Sequence, residues 1–319
     1  MKKILCVLMS CLLFVMAGCS GHSKNLKFGA ADIGGVYYSF ASTFTQLADN
    51  EIDGYTFETK TTAGSVANLR LISDGYIDLA IVQADLLSDA YNATGTFADK
   101  KYQKGYKAVA SLYTECCQIV VRKDSGITGI DDLINKTVSV GASESGTEKN
   151  AEQILKMSGI TDELINKVNM DYTEAAEKLK AGEIDAFFCT AGTRTEVIGQ
   201  LSKECDIRLI SLDDKCIDKM LSAYSLCEKY TIPAGTYNGQ DSDVTTIGVK
   251  AVLIAKQSLS DDVIKNVTKT IYEHADDFKY ATSLDITFDI NTAADGVDIP
   301  FHSGAAAYYT ERGINVLTE

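Results

Sequence analysis

The chain has 319 residues, and its 30 Lys and Arg against 44 Asp and Glu give a formal net charge of −14 at neutral pH. This acidic balance argues against nucleic acid or an anionic lipid surface as a partner. The length is enough for two medium-sized lobes. The three histidines lie far in sequence from one another and from the six cysteines of 116–227, so we predict neither a zinc site nor another cofactor.

The first residues resemble a bacterial lipoprotein signal. Lys2 and Lys3 precede an apolar run too short for a comfortable membrane span, and small residues stand immediately before Cys19. We predict a signal peptide over 1–18, lipidation at Cys19 and a polar tether over 19–25. The body is then exported and held to the bacterial cell envelope by its lipid alone, facing the periplasm or the cell exterior. An uncleaved N-terminal anchor helix is the alternative.

The first predicted elements form a β-α-β-α-β unit. NLKF (25–28) is predicted as a strand, and it leads through a glycine turn into an amphipathic helix. A strand over 55–62 comes next. A helix capped by Ser65 and ended by Gly75 follows, and then a buried strand over 76–85.

The same order recurs in the middle of the chain. TVSV (137–140) leads to glycines five residues apart and a helix ended by Gly159. A strand over 165–173, a helix ended by Gly182 and a buried strand over 183–192 complete this second unit. The recurrence indicates an internal duplication.

The duplication predicts a binding site. Aligning Gly75-Tyr-Ile-Asp with Gly182-Glu-Ile-Asp places Gln83 opposite Thr190 without a gap. In open α/β sheets, ligands sit beyond the carboxyl ends of the strands, where helix N-termini attract anions. Two lobes facing each other would therefore aim matched groups at one ligand. These groups are Gly34, Gly35 and Gln83 in the first unit, and Gly146, Thr147 and Thr190 in the second.

Two strand-like runs, 109–126 and 245–256, connect the predicted lobes, and a helix over 261–279 completes the first lobe. We therefore predict an α/β fold of two lobes, each a mostly parallel sheet flanked by helices, with a ligand cleft between them that closes about a hinge. The predicted bounds are 26–115 plus 253–319 for lobe I and 116–252 for lobe II.

Six cysteines remain beyond the leader and the lipidated Cys19, and an even number in an exported protein permits disulfides. Bridges between Cys205 and Cys216 or between Cys216 and Cys227 are considered, whereas Cys117 and Cys189 are expected to be buried free thiols. The six are Cys116, Cys117, Cys189, Cys205, Cys216 and Cys227.

Several long stretches occur in an order typical of one family. They are GGVYY, TTAGSVANLRLISDGYIDLAIVQAD, SVGASESGTEKNAEQIL, AFFCTAG, TIPAGTYNGQDSDVTTIGV and IPFHSGAAAYYTERG. Over nearly all of 26–316 the chain resembles the TAXI family of TRAP-transporter solute-binding proteins. The resemblance implies a type II periplasmic-binding-protein fold and a membrane permease driven by an ion gradient, usually of sodium. It also implies a ligand such as glutamate, glutamine or a related small carboxylate.

The resemblance also implies which residues contact the ligand. The matching positions are Gly34, Gly35, Tyr37, Tyr38, Gln83, Ser145, Gly146, Thr147, Thr190, Ala191 and Gly192, and we add Ser65, Glu144 and Arg194 as candidates. The chain departs from the family pattern at Asp32, Glu144 and Arg194, and by YTECC before the connecting strand. These departures leave the identity of the ligand open.

We expect Gly146-Thr147 or Gly34-Gly35 to hold one carboxylate and Arg194 a second, while Asp32 or Glu144 meets an ammonium group. This combination fits a zwitterionic amino acid better than a plain dicarboxylate.

Several alternatives stay open. Either tyrosine of the pair 37–38 could be the site residue, Arg194 could be solvated, and Gln83 could cap a neighbouring helix. Asp78 and Asp185 are expected to tie strands to local backbone, and His302 is expected to be structural.

These expectations define a binding protein. It would be a monomer that captures a small carboxylate, such as the amino acids glutamate or glutamine, and delivers it to a TRAP permease. A ligand-sensing lipoprotein of the same fold and a structural or adhesive lipoprotein are the alternatives. No catalytic residues are predicted, because both usable histidines lie in the C-terminal segment and no G-x-S-x-G occurs.

Overall fold

The computed structural model describes residues 23–99, 105–283 and 288–319. The predicted signal peptide and lipidated Cys19 lie outside these residues, as does most of the tether. None of the helices in the described part of the chain combines the length and apolar character that a bilayer span requires.

The first repeat folds in the predicted order. Strand β1 pairs in parallel with β2 on one side and with β3 on the other, and the helices lie between successive strands in the chain. A further short helix, α3, begins where β3 ends. The bounds are β1 Lys24–Gly29, α1 Val36–Glu51, β2 Tyr55–Lys60, α2 Ser65–Ser73, β3 Leu79–Gln83 and α3 Ala84–Asn92.

A long strand, β4, leads into the second repeat, which has the same layout. Strand β5 pairs in parallel with β6 and with β7, as β1 does with its neighbours. Strand β6 is shorter than the predicted 165–173, because Asp171 already caps the next helix. The bounds are β4 Tyr106–Arg122, β5 Thr137–Ser139, α4 Gly146–Met157, β6 Asn166–Val168, α5 Tyr172–Ala181 and β7 Ala186–Ala191.

The remaining elements return to the first repeat. The predicted helix over 261–279 is two helices, α8 and α9, separated at His274. The bounds are α6 Glu196–Glu204, β8 Ile207–Leu209, α7 Asp214–Ala223, β9 Cys227–Ile232, β10 Val244–Lys256, α8 Asp261–Glu273, α9 Ala275–Thr282 and α10 Ser303–Thr310.

One sheet contains both repeats, in the order β2-β1-β3-β10-β4-β7-β5-β6. The two predicted connecting strands, β4 and β10, are antiparallel neighbours at its centre. Strand β3 runs parallel to β4 and ends level with Tyr113, whereas β7 runs the other way along β4 and ends at Cys116. The two repeats therefore point their strand ends towards each other. The α/β fold is confirmed.

Equivalent aspartates tie the strands of the two repeats. The Asp78 carboxylate accepts a hydrogen bond from the backbone N–H of Lys27 at 2.9 Å, and the Asp185 carboxylate accepts one from Thr137 at 2.8 Å. Each pair joins the third strand of its repeat to the first. The prediction that both aspartates tie their strands to local backbone is confirmed.

Two other local predictions have definite outcomes. Ser65 does not cap α2, because Gly64 occupies the N-cap position; the Ser65 hydroxyl instead accepts from the backbone N–H of Gln83 at 3.1 Å. His302 caps α10 through Nδ1, which accepts from Gly304 at 3.2 Å, so the structural role expected for it is confirmed.

The six cysteines among the described residues are all free thiols, and every one except Cys205 is buried. The bridges considered for Cys205, Cys216 and Cys227 were therefore wrong. Cys117 and Cys189 are buried free thiols, as expected.

A buried amide fastens the first glycine turn to the sheet. The Asn68 side chain is fully buried, and its Nδ2 donates to the carbonyls of Ala30 at 2.6 Å and Ile81 at 2.9 Å. Its Oδ1 accepts from the Thr62 hydroxyl at 2.7 Å. Both carbonyls belong to segments that lead into the carboxyl-end edge of the sheet, so this amide fixes the position of that edge.

We predict that Asn68→Ala lowers the free energy of unfolding by about 2–3 kcal/mol, because it leaves these buried groups without partners. Urea denaturation followed by circular dichroism measures the change. Asn92→Ala is the matched control, since Asn92 is exposed and bonds only within its own helix. Equal effects of the two substitutions would contradict the prediction.

Candidate functional site

A small cavity lies where the strand ends of the two repeats meet. Its volume is about 50 Å³, compared with about 10–15 Å³ for a cavity that holds one water molecule. Five helices begin at its wall, three from the first repeat and two from the second. Their N-cap residues, all of which line the cavity, are Gly35, Gly64, Gln83, Ser145 and Asp171.

Helix N-termini give this cavity a positive potential. The first N–H groups of a helix have no acceptor within the helix, and the aligned peptide dipoles place a partial positive charge there. Some of these donors are already engaged, such as Glu148 N–H, which bonds to the Ser145 hydroxyl at 3.0 Å. The convergence of five such termini favours an anionic group in the cavity.

Three acidic side chains share the cavity with these helix ends. Asp32, Glu115 and Asp171 line the cavity, and within the described residues its lining includes no Lys, Arg or His. The site therefore combines positive helix ends with acidic side chains. That combination suits a ligand that carries both signs of charge.

Glu115 lies on β4 in the gap between the ends of β3 and β7. Its side chain is buried, and one carboxyl oxygen accepts a hydrogen bond from the Tyr37 hydroxyl at 2.8 Å. Burial raises the pKa of this carboxyl to about 8, against an opposing effect of the Tyr37 bond. Glu115 is therefore largely protonated at neutral pH.

Asp32 and Asp171 approach each other from opposite repeats. Burial, and secondly the Asp171 charge, raise the pKa of the half-buried Asp32 carboxyl, although N–H groups of Ile33 and Tyr172 partly oppose this. Asp171 caps α5 by accepting from Glu174 N–H at 2.8 Å. The turn that carries Asp32 thus packs against the start of α5.

A hydroxyl relay ties the second glycine turn to the end of β7. Thr147 Oγ1 accepts from the backbone N–H of Thr190 at 3.2 Å and lies 2.6 Å from the Tyr172 hydroxyl. The Tyr172 hydroxyl donates to the Thr190 carbonyl at 2.9 Å, so it accepts the Thr147 proton. Both threonine positions were predicted, whereas Tyr172 was not.

Gln83 bridges the two repeats. Its Nε2 donates to Oδ1 of Asn150 on α4 at 3.0 Å. The Cα of Gly146 lies against the same amide, so that a Cβ at position 146 would overlap the Gln83 side chain. The sequence alignment that placed Gln83 opposite Thr190 therefore identified two residues of a single cavity.

A second contact between the repeats lies beside the cavity. Arg70 on α2 forms a two-point ion pair with Glu144 in the second glycine turn, with Nη2–Oε2 at 2.6 Å and Nε–Oε1 at 3.2 Å. The Ala67 N–H also donates to the Glu144 carbonyl at 3.0 Å. The Glu144 carboxylate faces Arg70 in this arrangement, and the expectation that Asp32 or Glu144 meets an ammonium group of the ligand stays a prediction.

Most of the predicted ligand contacts lie together, and some do not. Gly35, Tyr37, Ser65, Gln83, Ser145, Gly146, Thr147, Thr190 and Ala191 all line the cavity. Gly34, Tyr38, Glu144, Gly192 and Arg194 lie outside that lining. Of the tyrosine pair, Tyr37 faces the cavity. Arg194 is exposed with a positive φ of 66°, so this arrangement does not bring it to the other candidates.

Sequence reasoning missed Glu115, Asp171 and Tyr172. Glu115 had a visible signal, since it is an acid within an otherwise apolar connecting strand. Asp171 and Tyr172 were hidden by the prediction of a strand over 165–173, although Asp followed three residues later by Glu174 is a helix-start pattern.

The fold matches solved periplasmic binding proteins at low identity. The periplasmic binding protein BugD superposes with a TM-score of 0.55 and 11% identity, covering 81% of this chain and 85% of that one. The binding-protein component of an ABC phosphonate transporter from Pseudomonas aeruginosa gives 0.54 and 11%, with 81% and 78% covered. An ancestral arginine-binding protein, bound to arginine, gives 0.50 and 14%, with 82% and 98% covered. These similarities establish the fold.

The fold is the one that these solved periplasmic binding proteins share. The model of the NMT1-like family matches residues 28–313, nearly the whole described chain. The chain belongs to the NMT1-like family. The narrower resemblance to TRAP-transporter proteins stays a prediction.

Glu115 makes the stability of the protein depend on pH. Its pKa is raised from the ordinary 4.5 to about 8 in the folded state, so the native state keeps a proton that the unfolded chain releases. The contribution of Glu115 to stability is therefore full below pH 4.5 and is lost as the pH rises towards 8, by up to about 1.4 kcal/mol per pH unit.

We predict that Glu115→Gln removes this loss. The difference in urea midpoint between the variant and the wild type should grow in favour of the variant from pH 5 to pH 8. Glu228→Gln serves as control, because Glu228 is a half-exposed acid on β9, which pairs with β10. A difference independent of pH would show that Glu115 is ionised throughout.

Proposed function

We propose that the protein is the extracytoplasmic solute-binding subunit of a TRAP-type secondary transporter. It captures a small carboxylate, with amino acids such as glutamate and glutamine as first candidates, and delivers it to a membrane permease. The observation that carries the proposal is the meeting of five helix N-termini, from both repeats, at one cavity. The predicted lobe bounds, the monomeric state and lipidation at Cys19 belong to the same proposal.

Helix N-termini can supply the binding free energy of a micromolar ligand without metal or covalent chemistry. A carboxylate at a helix N-terminus gains about 0.3–1 kcal/mol, or up to about 2 when partly buried. Each hydrogen bond from a backbone N–H to the charged group adds about 1.5–3 kcal/mol. Micromolar affinity requires about −8 kcal/mol. A few first-turn donors at α2 and α4 together reach that value.

Contacts between the repeats support capture by closure. The Arg70–Glu144 pair, the Gln83–Asn150 bond and the turn at Asp32 all join one repeat to the other around the cavity. Each would break if the repeats separated. A ligand that binds both walls therefore stabilises the closed arrangement.

The TRAP assignment rests on the sequence resemblance, while proteins of ABC transporters share the fold. Uptake of a bound solute by cells producing this protein distinguishes the two. A TRAP system loses uptake when the sodium or proton gradient is collapsed at constant ATP. Loss of uptake on ATP depletion at a constant gradient would instead indicate an ABC system, and binding without uptake would indicate a sensor.

A thermal-shift screen of small acids and amino acids tests the binding function. The small cavity makes glycine, alanine and serine necessary members of the panel beside glutamate and glutamine. At a hundredfold excess over the dissociation constant, a ligand adds roughly 2.7 kcal/mol of stability. We predict a clear rise in melting temperature for at least one member. A flat response across the panel would refute the binding function.

We predict that Gly146→Ala weakens binding of the ligand found in this screen at least tenfold. The added Cβ overlaps the Gln83 side chain, which lines the cavity. Gly199→Ala is the matched control, because Gly199 is also helical and has no atom near the added Cβ. Isothermal titration calorimetry measures both affinities. Unchanged affinity in Gly146→Ala would exclude this cavity as the binding site.

A further inference from the structure

Three polar atoms at the cavity have no hydrogen-bond partner within the described residues, although all three are buried. They are Asp32 Oδ2, Gln83 Oε1 and Thr190 Oγ1. The Asp32 and Gln83 oxygens accept hydrogen bonds but cannot donate them, whereas the Thr190 hydroxyl can do both. Buried acceptors left unpaired are destabilising, so the arrangement calls for a ligand group with several N–H donors.

The charges of two carboxylates at the cavity also favour a ligand group that is cationic. Asp32 comes from the first repeat and Asp171 from the second, and the Asp171 charge acts on the Asp32 carboxyl. Among the described residues, the lining of the cavity contains no basic side chain that could separate the two. Two like charges brought together when the repeats close oppose that closure unless a cation lies between them.

We propose that the ligand carries a cationic amine, which binds between Asp32 and Asp171 and thereby allows the two repeats to close. The inference rests on the proposed binding function and narrows its ligand class. Gln83 Oε1 and Thr190 Oγ1 accept the remaining N–H bonds. Since no three His, Cys, Asp or Glu side chains of the described residues come together as a metal site, an amine fits better than a metal ion.

The helix N-termini and the amine subsite recognise different groups of the ligand. The helix N-termini attract any small acid, so they do not separate an amino acid from the corresponding 2-oxo acid. Only the amine satisfies the acceptors at Asp32 and Gln83. We expect the amino acid to bind at least about 100-fold more tightly than its 2-oxo acid, because the oxo acid leaves these acceptors unpaired.

Calorimetry with matched ligand pairs tests the proposal. The pairs are glutamate with 2-oxoglutarate and alanine with pyruvate, each titrated into wild type, Asp32→Asn and Asp171→Asn. Asp171→Asn keeps a side-chain oxygen for the helix cap. Asp213→Asn is the matched control, since Asp213 also caps a helix, through a 2.6 Å bond to Cys216 N–H, but lies outside the cavity lining.

The expected result is a loss of selectivity. Asp32→Asn and Asp171→Asn should each weaken binding of the amino acid at least tenfold. Binding of the oxo acid should stay unchanged or become tighter, because either substitution relieves the repulsion between the two carboxylates. Asp213→Asn should change neither. The melting temperature of each variant without ligand establishes that it is folded.

Closure provides a second readout. Small-angle X-ray scattering should detect a smaller radius of gyration of the wild type with the amino acid and no change with the oxo acid at equal occupancy.

Equal wild-type affinity for both members of a pair would overturn the amine subsite while leaving the binding function intact. Parallel losses for both ligands in the two aspartate variants would also overturn it, since that is the mark of a structural role. Absence of binding by every compound would overturn both proposals.

Discussion

Two antiparallel strands at the centre of the sheet determine where everything else in the molecule lies. Strands β4 and β10 run through both repeats, and the strands of the repeats approach along them from opposite directions. The carboxyl ends of β3 and β7 therefore meet near Glu115. Since each strand of a parallel unit leads into a helix, this geometry also gathers five helix N-termini at the same point.

The site balances two kinds of charge. Helix dipoles create a positive potential that needs no basic side chain, and the three carboxyl groups limit it. Glu115 adds little negative charge at neutral pH because it retains its proton, and its carboxyl group accepts a hydrogen bond from Tyr37. The Asp32 and Asp171 carboxyls remain, one from each repeat, and they make the approach of the repeats sensitive to what lies between them.

The duplication could be predicted from sequence because each repeat uses local signals: glycine turns, capping residues and alternating buried strands. Those signals located Gln83, Gly146, Thr147 and Thr190 correctly in one cavity. The contacts that sequence analysis did not predict are made by residues whose partners lie far away in the chain.

Burial of Glu115 depends on α1 supplying Tyr37, and the orientation of Glu144 depends on Arg70 in the other repeat. A single sequence contains no local pattern for either contact. The prediction that Ser65 caps α2 was wrong for a different reason. Gly64 occupies the N-cap position, and the Ser65 hydroxyl instead accepts a hydrogen bond from the Gln83 N–H.

The buried thiols have a consequence for how the molecule matures. Five of the six described cysteines are enclosed without forming a bridge, and burial raises the pKa of the Cys116 and Cys117 thiols. A buried thiol of this kind reacts slowly with oxidants, whereas the same thiol in an unfolded chain is exposed and reacts faster. In an oxidising compartment, chain collapse would compete with mispairing of sulfur atoms, and the yield of native protein would be decided by which process is faster.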